Sequence, residues 1–174
     1  MIKQILIIRK DLNMRKGKIG AQCAHASMKV FFDRIHMSLE SYEGTAKEYD
    51  HYKCKFTNEM IQWMEGSFTK IVVGCSSEQE LFDLQKQAEE AGIVNAIILD
   101  NGQTEFKMGC QNCNGKGEHI QMYDAIITGT NPISYICNKC HGTGKIPKPT
   151  YTCLAIGPDE SEKIDKITKE LQLL

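Results

Sequence analysis

The stretch FTKIVVGCSSEQELFDLQKQAEEAGIVNAIILD, residues 68–100, decides the architecture. FTKIVVGC is a short β-branched run, which predicts a buried strand over 68–75. The segment that follows predicts a helix by several independent signals. Ser77 and Glu80 have capping-box spacing, Leu81, Leu84, Ala88 and Ala91 make one apolar face, and Gly92 closes it. NAIILD then predicts another strand. Strand, helix and strand in direct succession are the building unit of an α/β protein.

Working outward, IKQILIIRK at the N-terminus predicts a buried strand bounded by charge, followed by the loop KDLNMRKGK. From Lys18 a helix is expected to run toward Leu39. Ile19, Cys23, Ala26 and Val30 set its stripe, and Ala24, Met28, Phe31 and Ile35 widen it. Residues 40–62 are polar, with a helical excursion near 57–65. TYTCLAIG predicts a fourth strand, and Asp159 with Glu162 predicts the cap of a last helix whose inner face is Ile164, Ile167 and Leu171. The order implies a three-layer α/β sandwich: a mixed four-stranded sheet with helices on both faces. The third and fourth strands would pair as an antiparallel hairpin. Residues 107–149 would be an insert at its tip, leaving 1–106 and 150–174 as the α/β domain.

At 174 residues, with 41% hydrophobic and 25% charged residues, the composition is that of a globular chain and excludes wholesale disorder. The apolar run ILII at 5–8 is closed by Arg9 and Lys10, too short for a signal peptide or a membrane span. A cytoplasmic protein without membrane contact is expected. The net charge of −1 excludes general electrostatic attraction to nucleic acid, yet Arg9, Lys10, Arg15, Lys16 and Lys18 crowd together with only Asp11 opposing them. Such a cluster is either a solvated basic loop or a contact for phosphates.

Of eight cysteines, four form two C-x-x-C pairs: Cys110 with Cys113, and Cys137 with Cys140. Each pair is followed by glycines, in CQNCNGKG and CNKCHGTG, and EHIQMYDAIITGTNPISYI between them predicts a short β-hairpin. The spacing predicts one tetrahedral Zn²⁺ per chain held by four thiolates, with backbone N–H groups turned toward the sulfurs. A redox dithiol is the rival. His119 and His141 are not needed as ligands, and a site with no open position is structural, so no cofactor is expected for catalysis. The repeated C-x-x-C-x-G-x-G unit resembles the cysteine-rich module of J-domain co-chaperones, over the insert alone. A chaperone-like use would draw on Met122, Tyr123, Ile126, Ile127, Tyr135 and Ile136 as apolar contacts. Cys23, Cys75 and Cys153 fall in apolar segments and read as small buried residues.

Outside the cysteines there is no G-x-S-x-G, no H-E-x-x-H and no phosphate-loop signature. Polar residues at the ends of elements remain: Lys18, Gln22 and His25 on the first helix, Asp100 and Thr104 after the third strand, Thr150 and Thr152 entering the fourth. Each also has a bland reading, as a solvated lysine, a turn aspartate or strand-favouring threonines.

RKDLNMRKGKIGAQCAHA, KIVVGCSSEQELFDL, ILDNGQTEF and TYTCLAIGP with IDKITKELQLL together resemble the type-2 peptidyl-tRNA hydrolase family, in order along the chain. The resemblance omits only residues 40–62 and the cysteine insert. It implies hydrolysis of the ester joining a peptide to the 3′ end of tRNA, with peptidyl-tRNA as partner and a homodimer as the assembly. Lys18 matches the second lysine of the family's K-G-K, Asp100 and Thr104 match its D-x-G-x-T, and Thr152 the later threonine of its T-x-T. These four are the implied catalytic residues, with Lys16, Gln22, His25 and Thr150 binding substrate. Two positions depart from the family pattern, Asn101 for Ala and Pro149 for Gly. In this reading Asp100 handles the attacking water, Lys18 offsets the oxyanion or a phosphate, and Thr104 and Thr152 hold water or the ribose. The insert's Lys107, Lys116, Lys139, Lys145 and Lys148 either contact tRNA phosphates or belong to a tolerated tip insertion. The alternative function is a catalytically silent tRNA- or ribosome-binding module that uses the zinc hairpin for its partner.

Overall fold

IKQILIIR becomes the central strand of the sheet, β1 (Ile2–Arg9), because both of its faces are covered: every residue from Lys3 to Arg9 is buried. A computed structural model describes residues 1–37, 52–121 and 133–174 of the chain. The chain divides into two compact units, Met1–Leu99 with Tyr151–Leu174, and Asp100–Thr150.

In the first unit, β1 is followed by α1 (Lys16–Phe32), β2 (Ile35–Met37), β3 (Tyr52–Cys54), α2 (Asn58–Glu65), β4 (Lys70–Cys75), α3 (Glu78–Glu90) and β5 (Asn95–Asp100). β6 to β9 belong to the second unit, and β10 (Thr150–Glu160), α4 (Ser161–Thr168) and β11 (Gln172–Leu173) close the chain. The sheet has five strands in the order β11-β4-β1-β10-β5, not the four expected. It is mixed: β1 runs parallel to β4 and antiparallel to β10, and β11 runs antiparallel to β4. The extra strand, β11, lies within LQLL, where Leu171 also satisfies a helical stripe. The helix ends at Thr168, so Leu171 packs on the core from beyond it.

Alternation along β1 sorts the helices. Ile5 and Ile7 pack with Val73, Leu154 and Ile156 of the neighbouring strands, with Leu81, Leu84 and Ala88 of α3, and with Ile164 of α4. Gln4 points to the opposite side, where its Oε1 accepts from Ser27 Oγ of α1 at 2.6 Å. α3 starts where expected: Ser77 Oγ accepts from Glu80 N–H at 3.1 Å, while the Glu80 carboxylate reaches back to Ser76 N–H and Oγ. Gly92, at φ +66°, follows its end, but Ala91 is exposed and adds nothing to the buried face.

Two features differ from the sequence reading, the end of α1 and the cap of α4. α1 stops at Phe32, and Ile35, placed in its stripe by periodicity, lies in β2 paired with β3. α2 matches the expected excursion and is capped by Thr57, which accepts from Met60 N–H at 3.2 Å. Asp159 does not cap α4. Its carboxylate accepts from Glu160 N–H and Lys163 Nζ, and Glu160 holds the N-cap position without a side-chain bond.

The second unit holds two short ladders. β6 (Lys107–Gly109) pairs antiparallel with β9 (Lys145–Pro147), and β7 (Glu118–Gln121) pairs antiparallel with β8 (Ile133–Ile136). The second is the expected hairpin; Met122, Tyr123, Ile126 and Ile127 lie outside the described residues. No sequence signal pointed to the β6–β9 ladder.

Candidate functional site

The first turn of α1 concentrates positive charge. Arg15 at the N-cap makes no side-chain capping bond, the turn contains Lys16 and Lys18, and it has no acidic residue. Cations at a helix N-terminus oppose the helix dipole, at about 0.3–1 kcal/mol each, so this start favours an anion over internal stability. Lys16 is exposed and Lys18 half-buried. Arg9, counted in the same basic cluster, is committed elsewhere. It is buried, bonds both oxygens of Asp11, reaches Glu78 at 2.6 Å and donates to the Tyr151 carbonyl. Its hydrogen bonds to Asp11 raise the pKa of the guanidinium despite its burial. It is a structural cation, not a phosphate contact.

One turn further along α1, Gln22 is buried and its Oε1 accepts from Thr152 Oγ1 at 2.6 Å. Thr152 is completely buried on β10 and also lies 3.4 Å from the Ile98 carbonyl of β5. The structure thus brings together two of the expected residues that are 130 positions apart. It also changes the expected role of Thr152, because a fully buried hydroxyl given to Gln22 is not placed to hold ribose or water. Its effect on a ligand would run through Gln22. His25 is exposed on α1.

The other candidates lie in the second unit. Asp100 closes β5, and its Oδ1 accepts from Gly102 N–H at 2.8 Å, a turn that fixes the carboxylate's orientation. Gly102 is at φ +71°, and a Cβ there would sit 2.5 Å from the Lys148 carbonyl and 2.6 Å from the Phe106 carbonyl. Only glycine fits this position. Thr104 is exposed. Thr150 is buried and donates to the Lys148 carbonyl at 2.9 Å, so its hydroxyl closes a turn across Pro149.

Four sulfurs form the second constellation. Cys110, Cys113, Cys137 and Cys140 are all buried, with ligand atoms within 4.8 Å of one another. The knuckles are related residue for residue. Cys110 N–H donates to Gly144 O and Cys137 N–H to Gly117 O, both at 2.8 Å. Gly117 N–H donates to Cys113 Sγ at 3.2 Å, and Gly144 N–H to Cys140 Sγ at 3.3 Å. Asn114 and His141 take matching left-handed conformations at φ 50° and 51°. Gly117 and Gly144 permit the close approach: a Cβ on either would lie within 2.3 Å of a carbonyl oxygen of the opposite knuckle.

The remaining thiols are less uniform than their apolar surroundings suggested. Cys75 and Cys153 are buried, while Cys23 is only half-buried. Burial pushes the Cys75 thiol up to about 11, which keeps it protonated and unreactive at neutral pH.

A mixed α/β sheet with an anion-favouring helix start and polar groups at strand ends is the frame of a ligand-handling α/β protein. The family described as Peptidyl-tRNA hydrolase PTH2 matches residues 2–117 and 116–174, and the chain belongs to that family. It is 32% identical to the peptidyl-tRNA hydrolase of Methanothermobacter thermautotrophicus, over 99% of this chain and 100% of that one. It is 31% identical to that of Haloquadratum walsbyi, over 99% of each, and 30% identical to that of Nanoarchaeum equitans, again over 99% of each.

Proposed function

We propose that the chain hydrolyses the ester bond between peptide and tRNA in peptidyl-tRNA and so returns the tRNA to use. Family membership supports the reaction. The observation that carries it to particular residues is the buried hydrogen bond between Gln22 and Thr152. It ties the K-G-K helix to the T-x-T strand, the two segments in which the family resemblance is most specific. Among the described residues it is one of two buried polar pairs that join α1 to the sheet, the other being Ser27 with Gln4, and each costs more than two aliphatic side chains would.

The mechanism needs little beyond positioning. Asp100 takes a proton from water as the water oxygen attacks the ester carbonyl, and Lys18 offsets the charge that develops on the carbonyl oxygen. When the C–O bond breaks, the ribose oxygen takes the proton held by Asp100, and the peptide leaves as a carboxylic acid that ionises by giving the second water proton to solvent. Thr104, Lys16, Gln22 and His25 line up the acceptor end, with Thr152 setting the position of Gln22. An ester is labile enough for orientation and electrostatics to suffice, with no covalent intermediate and no catalytic metal.

A homodimer is part of this reading. Met28 and Phe32, four residues apart on α1, are 49% and 57% exposed, as an apolar stripe awaiting a second copy would be. No described helix is long and apolar enough to cross a membrane; a cytoplasmic location is part of the reading because the proposed substrate is a tRNA. Lys116, Lys139, Lys145 and Lys148 are exposed and suited to tRNA phosphates, whereas Lys107 donates to the Gln103 carbonyl.

The test is peptide release from N-acetyl-aminoacyl-tRNA by the wild-type chain, Lys18→Ala and Asp100→Ala. Loss of a positioned electrostatic or acid–base group predicts turnover lower by roughly 10²–10³ in each. Wild-type protein that binds the tRNA tightly and releases no peptide would establish the silent binding module instead.

A further inference from the structure

We propose that Cys110, Cys113, Cys137 and Cys140 bind one zinc ion as a tetrathiolate, and that this ion holds in place the turn carrying Asp100. The donor chemistry fits. Four thiolates at about 2.3 Å from a tetrahedral zinc stand about 3.8 Å from one another. Here Cys110 Sγ and Cys137 Sγ are 3.9 Å apart, and Cys113 Sγ and Cys140 Sγ are 3.7 Å apart. A disulfide brings sulfurs to about 2.05 Å, so these contacts match ligands of a shared ion and not bonded pairs. Binding releases four thiol protons and leaves a net charge of −2 on the metal and its ligands. The N–H groups of Gly117 and Gly144 and the Asn112 side chain, which donates to Cys137 Sγ at 3.4 Å, are placed to offset it.

The unit also needs such a centre. Its buried cluster consists of the four cysteines with Ile146 packed against them. Ile120, Ile133, Tyr135 and Ile136 are at least half exposed, with Ile136 at 76%. Ordering a residue costs about 1–2 kcal/mol in backbone entropy, and the described residues of this unit bury too little apolar surface to offset that.

The path from the metal to Asp100 runs inside one unit, through hydrogen bonds and one close backbone contact. Cys110 N–H bonds Gly144 O, which sets the register of β6 on β9 from Gly109↔Lys145 to Lys107↔Pro147. Lys148 N–H then bonds Phe106 O at 3.0 Å. Gly102 is wedged against those same two residues, and its N–H holds Asp100 Oδ1. Zinc at the far end therefore selects the register in which Gly102 fits and the carboxylate is oriented. The effect on turnover rests on the hydrolase reading above; the metal and its grip on the turn do not.

The experiment uses the whole chain, as purified and as the Cys113→Ser/Cys140→Ser double variant. Zinc content, the visible spectrum after replacement by Co²⁺, amide exchange at Cys110 and Lys148, and peptide release are measured together. The expected result is one zinc per chain, a tetrahedral thiolate cobalt spectrum, and loss of both in the double variant. Exchange at Cys110 and Lys148 should rise roughly 100-fold or more once metal binding no longer opposes opening. Metal-free protein with inter-knuckle disulfides, or a cobalt spectrum that is not tetrahedral thiolate, would overturn the site. Zinc loss with unchanged exchange at Lys148 would overturn the grip on the turn. Zinc-loaded, protected protein that releases no peptide would support the grip and remove only the hydrolase reading.

Discussion

The two units of this chain achieve order by different means. In Met1–Leu99 with Tyr151–Leu174, strands and helices bury a continuous apolar cluster from Ile7 through Leu81 to Ile164. In Asp100–Thr150 the buried side chains are mainly sulfur, and large apolar residues on β8 face solvent. The first unit draws its stability from area removed from water, spread over many small contributions. The second, with the proposed zinc, concentrates it on four sulfur atoms and the ion they hold. A unit of the first kind should degrade gradually under substitution, and one of the second kind should fail at a single point.

The largest effect separates them outright. Chelation should unfold Asp100–Thr150 and leave the sheet intact, read as loss of amide protection at Cys110 and Cys137 but not at Ile7 or Val73. Zinc binding in small thiolate sites is worth about 10 kcal/mol or more, beyond anything one core residue supplies. Simultaneous melting of both units would break the comparison. Next, Ile7→Ala should lower stability by about 3 kcal/mol through its cavity, seen in the denaturant midpoint, with zinc content unchanged.

A smaller effect sharpens the assignment of Thr152. Thr152→Val should leave the buried Gln22 oxygen short of a donor and cost about 1–3 kcal/mol. It should also reduce peptide release, whereas Thr152→Ser restores the hydroxyl and most of the activity. Equal turnover for both variants in folded protein would show that Thr152 does nothing for Gln22 beyond packing. Smallest, Ser77→Ala should cost about 1 kcal/mol by removing the cap on α3, without changing turnover or metal content.

The sequence reading was most complete where structure is local. The α3 segment is capped where Ser77 and Glu80 predicted, because a cap joins residues three apart. The clustering of the four cysteines was legible for a similar reason: the two-residue spacing inside each knuckle is local, and only the closing of one knuckle on the other is long-range. The failures have a common form. Leu171 and Ile35 satisfied a helical period and were assigned to helices, but one packs from beyond α4 and the other pairs in β2. Periodicity reports which side chains seek burial, not which backbone conformation buries them. Arg9 read either as part of a solvated basic loop or as a phosphate contact, and Glu78 and the Tyr151 carbonyl, far away in sequence, make it neither.

By itself, then, the sequence determined the α/β class, the cap of α3, the spacing of the cysteine quartet and the family. Each depends on neighbours along the chain or on motif spacing. Tertiary structure alone decided the fifth strand, the β6–β9 ladder that needs glycine at position 102, and the burial of Thr152 against Gln22. Those are pairings between distant segments, and their free energy comes from burial and hydrogen bonds that exist only once the chain has folded.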